Sequence, residues 1–143
     1  MLSKRSQYAF RALTVLAEQY EQGPVLIATI AKKKKIPLKF LENILLELKE
    51  AEILDSKKGK GGGYFLRTAP GKTTLASIIR IVNGPIALLP CVSLYFYEAC
   101  KGCDKKTCQL NTIMTEVRDA TLGVLEHRTL KDLIATPKKK STK

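Results

Sequence analysis

No uninterrupted apolar run in this 143-residue chain approaches the roughly 18 residues that a membrane-spanning helix needs, and the opening MLSKRSQY lacks the apolar region of a signal peptide. A cytoplasmic protein with no membrane partner is therefore expected. Cysteine is absent outside one short segment, which holds Cys91, Cys100, Cys103 and Cys108. In a reducing cytosol that confinement argues against structural disulfides and towards metal or redox chemistry. Also missing are a nucleophile with a paired base and a carboxylate pair at a convincing spacing, so nothing in the sequence asks for an enzyme. Acidic residues are scarce: 13 Asp and Glu stand against 25 Lys and Arg, a formal net charge of +12.

What is present begins with lysine in clusters, at Lys32 to Lys35, Lys57 to Lys60 and Lys138 to Lys140. Such an excess favours a polyanionic partner, because every phosphate neutralised releases condensed counterions. Nucleic acid ranks ahead of an anionic membrane surface or of lysines that only keep a surface soluble. The apolar share of 45% is ordinary for a globular protein, and the length suits one compact domain with a modest extension.

The first periodic segment runs from about Lys4 to Glu21, with Tyr8, Ala12, Leu13, Leu16, Ala17 and Tyr20 at helical spacing, and Gly23-Pro24 ends it. Val25 to Ile27 suit a short strand. IATIAKKKKI then predicts a short second helix with Ile27, Ile30 and Ala31 inward. Ile36-Pro37 breaks the chain, since the residue before proline is pushed out of the helical region. In the third helix Phe40, Leu41, Ile44, Leu45 and Leu48 repeat as one apolar stripe, which leaves Leu38, Lys39, Glu42, Asn43 and Leu46 on the flanks and outer side. Early outward positions of such a helix can reach base edges, where Asn or Lys bonds purines and Glu accepts from cytosine. For the helix in isolation, a merely solvated face is the simpler reading.

The next stretch reverses that preference. Ile53 to Lys58 and Tyr64 to Arg67 predict two short strands around Gly59-Lys60-Gly61-Gly62-Gly63, where glycines permit positive φ and close backbone approach. Lys57, Lys58 and Lys60 load the hairpin with positive charge, which suits insertion along a phosphate-lined minor groove. A phosphate-cradling P-loop would need Gly-Lys followed by Ser or Thr and a helix, whereas a strand-like segment follows here. Helix and hairpin together predict a winged helix-turn-helix, a mainly α fold with a small β-wing.

Thr73 or Thr74 can cap a fourth helix through Leu75, Ile78, Ile79 and Val82, stopped by Gly84-Pro85. An irregular, cysteine-bearing stretch follows, with Tyr95-Phe96-Tyr97 expected to pack the loop against a dimer rather than to stack on bases. A long amphipathic helix begins near Cys108 or Gln109 and continues to about Glu126, with Leu110, Ile113, Met114, Val117, Thr121, Val124 and Leu125 along one side. It has no obvious partner within so small a domain, so packing against its twin is expected, ahead of packing on the first helix. His127 falls at the helix end, where capping is favourable and outranks ligation. TLKDLI from Thr129 to Ile134 suits a short closing helix. The division expected is a winged helix-turn-helix DNA-binding domain over residues 1–84, a cysteine-containing sensor loop over 85–108, a dimerisation helix and closing helix over 109–136, and a disordered basic tail over 137–143.

With these residues assembled, the chain resembles the Rrf-two family of bacterial winged-helix regulators. The resemblance runs from Tyr8-Ala9-Phe10-Arg11-Ala12-Leu13 through Ile36-Pro37 and Phe40-Leu41-Glu42-Asn43-Ile44-Leu45 to Gly59-Lys60-Gly61-Gly62-Gly63-Tyr64-Phe65-Leu66. It implies a homodimer on double-stranded, palindromic operator DNA, a long dimerisation helix at about Gln109 to Glu126, and DNA contacts at Lys39, Glu42, Asn43 and Lys58. It also implies an iron–sulfur cluster, most often of the 2Fe–2S type, held by three cysteines before that helix. Cys91 and Cys108 match the outer two, and Cys100 and Cys103 compete for the middle, with Cys103 preferred for its proximity to Cys108. Where one subgroup carries a ligand histidine this chain has Asn111, and where another carries an acidic residue it has Gln7, so the extra cysteine is left to complete an all-thiolate site.

Zinc fits the same thiolates on softness but ranks below the cluster. Thiol or disulfide switching is a further alternative, favoured if Lys101, Lys105 and Lys106 lower a cysteine's pKa. The reading reached is a dimeric, sequence-specific transcriptional regulator whose cysteine loop senses iron–sulfur status, nitric oxide or oxidants. Its rivals are a cofactor-free DNA-binding regulator controlled by a partner protein, and a basic nucleic-acid-binding module without sequence preference.

Overall fold

The computed structural model describes residues 2–134, so the basic segment expected as a tail lies outside the described residues. In chain order come α1 (Lys4–Glu18), α2 (Ile27–Lys34), α3 (Leu38–Glu50), the hairpin strands β1 (Leu54–Lys57) and β2 (Gly63–Leu66), α4 (Leu75–Val82) and α5 (Gln109–Leu125). Short 3-10 turns cover Pro70–Lys72, Pro90–Val92 and Leu130–Leu133. The fold is mainly helical with one two-stranded antiparallel sheet, as the sequence predicts.

Ser3 caps α1 by accepting from the Ser6 amide, and the helix buries Ala9, Ala12, Leu13 and Leu16. It stops three residues before Glu21, which takes a left-handed φ of 63° in the following turn. Between α2 and α3 the turn is closed by Lys35 in the left-handed region (φ 54°) and by the Ile36 amide donating to the Ala31 carbonyl at 2.9 Å. Leu41, Ile44, Leu45 and Leu48 of α3 are fully buried, so this helix is held by tertiary packing more than by propensity. Phe40 departs from the expected stripe. It lies one position off the buried row in the first turn, is 41% exposed, and meets Tyr8 edge to face, with ring centroids 5.6 Å apart.

β1 and β2 pair in register from Leu54 with Leu66 to Lys57 with Gly63. The short strand expected at Val25 to Ile27 reduces to a single bridge, Val25 with Tyr64, because Ile27 already starts α2. Thr74, rather than Thr73, caps α4 through the Ser77 amide. The chain end returns to this body: the Leu130 amide donates to the Thr73 carbonyl at 3.0 Å, and the Leu130 side chain enters the same core as α1 and α3. Thr129 and Asp132 form a capping box on that last turn, which is a 3-10 turn rather than a full helix.

α5 behaves differently from the other helices. Only Asn111 and Leu122 are buried along it, and Leu122 belongs to none of the apolar positions expected to form its contact face. Most of those positions are exposed within one chain, with Leu110 54%, Ile113 51% and Val124 57% exposed, while Met114 and Leu125 are half-buried.

Candidate functional site

Lys39, Glu42 and Asn43 occupy helix positions i, i+3 and i+4 of α3 and therefore share one face, opposite the buried leucines. All three are exposed. Among the described residues none of their side chains forms an ion pair or hydrogen bond, although nearby Glu47 pairs with Arg5 of α1. The α3 face is thus charged, accessible and uncommitted, while Arg5 ties the helix to the body by also donating to the Val82 carbonyl at 3.2 Å.

The hairpin is anchored to α3 by Lys49, whose Nζ donates to Ser56 Oγ at 2.7 Å. Beyond that anchor Lys57, Lys58 and Lys60 are all exposed. The glycines between them divide into two kinds. At Gly59 and Gly61, φ is positive and a Cβ would meet open space. At Gly63, φ is +144° and a Cβ would lie 2.2 Å from the Val25 carbonyl oxygen; at Gly62 it would lie 2.2 Å from that of Lys57. The close approach that glycine permits here is to the protein's own backbone, which seats the base of the hairpin on the Val25 bridge.

The four cysteines converge at the other end of the molecule. Cys91 sits in the Pro90–Val92 turn, Cys108 is the N-cap of α5, and the exposed Cys100 and Cys103 lie between them. All four line one cavity of about 450 Å³ with Tyr97 and Asn111 among its walls. Asn111, 8% exposed, joins two of them: its Nδ2 donates to Cys91 Sγ and its backbone N to Cys108 Sγ, each at 3.4 Å. Arg118 of α5 holds the Cys91 turn by donating to the Val92 carbonyl at 2.8 Å.

Hydrogen bonds to Cys108 and Cys100, followed by the charges of those neighbours, push the Cys103 thiol up to about 11. The lysine-driven lowering expected for a switching thiol is not met at Cys103. Lys105 instead rests over the Tyr97 ring, 5.4 Å from its centroid. Among the described residues no three His, Cys, Asp or Glu side chains are placed as a closed metal-binding set. The donor chemistry nevertheless fits a soft, thiophilic centre: four sulfurs on one cavity, two already accepting N–H donors and one crowded by its neighbours.

His127 takes the capping role, with Nδ1 2.9 Å from the Gly123 carbonyl oxygen. Tyr95 packs under Arg80 of α4, and Tyr95, Phe96 and Tyr97 are all exposed in one chain. The sequence did not point to Arg80 or Arg118, whose decisive partners, Glu126 and Tyr95 for Arg80 and the Val92 carbonyl for Arg118, lie on other elements. It offered Asn111 only as an unsuitable ligand.

Residues 2–136 match the family model described as Rrf2, Iron-dependent Transcriptional regulator. An rrf2-like HTH-type transcriptional regulator of Rhodobacter capsulatus is 34% identical over 139 residues, covering 94% of this chain and 93% of that protein. The HTH-type transcriptional regulator IscR of Cronobacter sakazakii is 29% identical over 133 residues, 93% of this chain and 79% of its own. Among solved structures, CymR, the global cysteine regulator of B. subtilis, superposes with a TM-score of 0.76 at 28% identity, covering 93% of this chain and 95% of that one. IscR of T. potens shares the fold, with a TM-score of 0.74 at 24% identity over 93% of this chain and 85% of that one. Among the described residues no helix is long and apolar enough to cross a membrane.

Proposed function

The chain belongs to the Rrf2 family of DNA-binding transcriptional regulators, which are not enzymes, and from that premise we propose a cytoplasmic homodimer whose operator grip is set by an iron–sulfur cluster in the cysteine cavity. The observation that carries this reading is the gathering of Cys91, Cys100, Cys103 and Cys108 on one cavity at the first turn of α5. Cys91 and Cys108 stand 17 positions apart in the sequence, yet the Asn111 side chain and its own backbone amide touch both sulfurs.

Lys39, Glu42 and Asn43 read base edges of a palindromic operator, while Lys57, Lys58 and Lys60 grip its phosphates. The exposed apolar side of α5 at Leu110, Ile113, Val117 and Val124 packs on a second copy, which brings two α3 helices to successive half-sites. The four cysteines hold the cluster, which when bound supplies a one-electron centre sensitive to nitric oxide and oxidants. Because Cys108 caps α5, loading of the cavity biases how the two long helices pack. Such coupling is typically worth about 1–3 kcal/mol, or roughly 5- to 150-fold in operator affinity.

Anaerobic purification with visible absorption and iron, sulfide and zinc analysis tests the cofactor. Brown protein with matching iron and sulfide is expected. Operator affinity is then compared for loaded protein, apo protein and Cys108→Ser, and equal values would sink the switch. A cofactor-free regulator under the control of a protein partner is the second reading, favoured by the lack of a closed three-ligand set among the described residues. It predicts colourless protein whose affinity ignores iron.

A further inference from the structure

Asn111 stands in the wall of the cysteine cavity, with its side-chain nitrogen and its backbone nitrogen each donating to a sulfur. Its Nδ2 donates to Cys91 Sγ and its backbone N to Cys108 Sγ, both at 3.4 Å, and the residue is 8% exposed. The side-chain oxygen, a hard amide carbonyl, is a poor ligand to a soft metal beside four thiols. The α5 backbone fixes its position: Asn111 is the third residue of the helix that Cys108 caps, and its carbonyl accepts from Thr115 Oγ1 at 2.8 Å. A nearly buried amide held in this way is a preorganised hydrogen-bond donor, not a solvated surface group.

We propose that Asn111 is a positioning and potential-setting residue for the cluster, acting through Cys91 rather than by ligation; this rests on the cluster reading above. N–H groups aimed at ligand sulfur favour the state carrying more negative charge, so the amide stabilises the one-electron-reduced centre relative to the oxidised one. The same donor fixes the rotamer of Cys91 against the first turn of α5, so it also links the Pro90–Val92 turn to the long helix. Asn111 replaces neither a missing thiolate nor a histidine, which leaves all four ligand positions to the cysteines.

The test compares unmodified protein with Asn111→Leu and Asn111→Ala, which remove the side-chain donor but keep the backbone amide, and with Asn111→Gln, which restores an amide. Each is reconstituted anaerobically with ferrous iron and sulfide and checked for helix content by circular dichroism. Iron and sulfide per chain are measured, and the midpoint potential is taken by dithionite titration with mediator dyes. Expected is unchanged iron and sulfide with about a tenfold shift of the reduction equilibrium towards the oxidised state in the Leu and Ala variants, 59 mV for a one-electron couple, partly recovered by Gln. A loaded variant with an unchanged potential overturns the proposal while leaving the cluster reading intact. Loss of iron in both folded variants also overturns it, since that marks Asn111 as a ligand. Failure of the unmodified protein to take up iron and sulfide overturns the cluster reading and this proposal together.

Discussion

The guanidinium of Arg80 sits 4.4 Å above the ring centroid of Tyr95. Its Nη2 also donates to Glu126 Oε1 at 3.0 Å, so one α4 side chain meets the cysteine-bearing loop and the end of α5 together. α4 is in turn reached by Arg5, which pairs with Glu47 of α3. A double-mutant cycle with Arg80→Ala and Tyr95→Ala should yield a coupling of about 0.5–1 kcal/mol in urea unfolding, the range for a solvent-accessible cation–π pair. Additive losses would show that the two groups do not cooperate.

Gly63→Ala should destabilise the chain by more than about 2 kcal/mol, because strain at positive φ adds to a collision with the Val25 carbonyl 2.2 Å away. Gly61→Ala, at φ +76° with open space around it, should cost only about 1 kcal/mol. Chemical denaturation of both variants checks the ordering, and equal losses would remove the backbone contact as the reason.

Lys58→Ala and Lys60→Ala should weaken binding to every duplex and reduce the salt slope by about 1 each. Asn43→Ala should mainly narrow the gap between operator and random DNA, by about 1–3 kcal/mol. Titrations across a salt series with both duplexes separate the two effects. Identical behaviour of the Asn43 and Lys58 variants would contradict the assignment of reading to the helix and gripping to the hairpin.

Cys103 of the apo protein should react slowly with iodoacetamide at pH 8, since a thiol pushed up to about 11 is then ionised only to about one part in a thousand. Its bonds to neighbouring thiols favour the protonated form, so replacing Cys108 and Cys100 by serine should lower the pH at which alkylation accelerates. A midpoint that stays in place in the double variant would rule out the neighbours as the cause.

Ile113→Lys and Val124→Lys place charges on apolar positions of α5 that are 51% and 57% exposed in a single chain. Sedimentation equilibrium should show a shift from dimer to monomer, with helix content retained because neither side chain belongs to the core. A dimer of unchanged strength would mean that another surface joins the copies.

Local pattern carried much of the architecture. The apolar spacing in α3 foretold burial at Leu41, Ile44, Leu45 and Leu48, and Thr74 and Gly84 bounded α4, because a helix repeats over a few residues and its caps act within one turn. The same logic misplaced Phe40, whose burial depends on how α1 crosses the first turn of α3. It also missed Leu122, the side chain that packs α5 inward. Outward charge at Lys39, Glu42, Asn43 and the hairpin lysines was equally legible, since a period fixes which side faces away from the core.

By itself the sequence determined the helical periods, the charged faces, the glycine hairpin and the confinement of cysteine to one segment. Tertiary structure alone decided which groups meet. It brought Cys91 to Cys108 through Asn111, set Gly63 against Val25, and closed Arg80 on Tyr95 and Glu126. Periodicity is a property of neighbouring backbone dihedrals, whereas these contacts join residues on separate elements and exist only when the core excludes other arrangements of the chain.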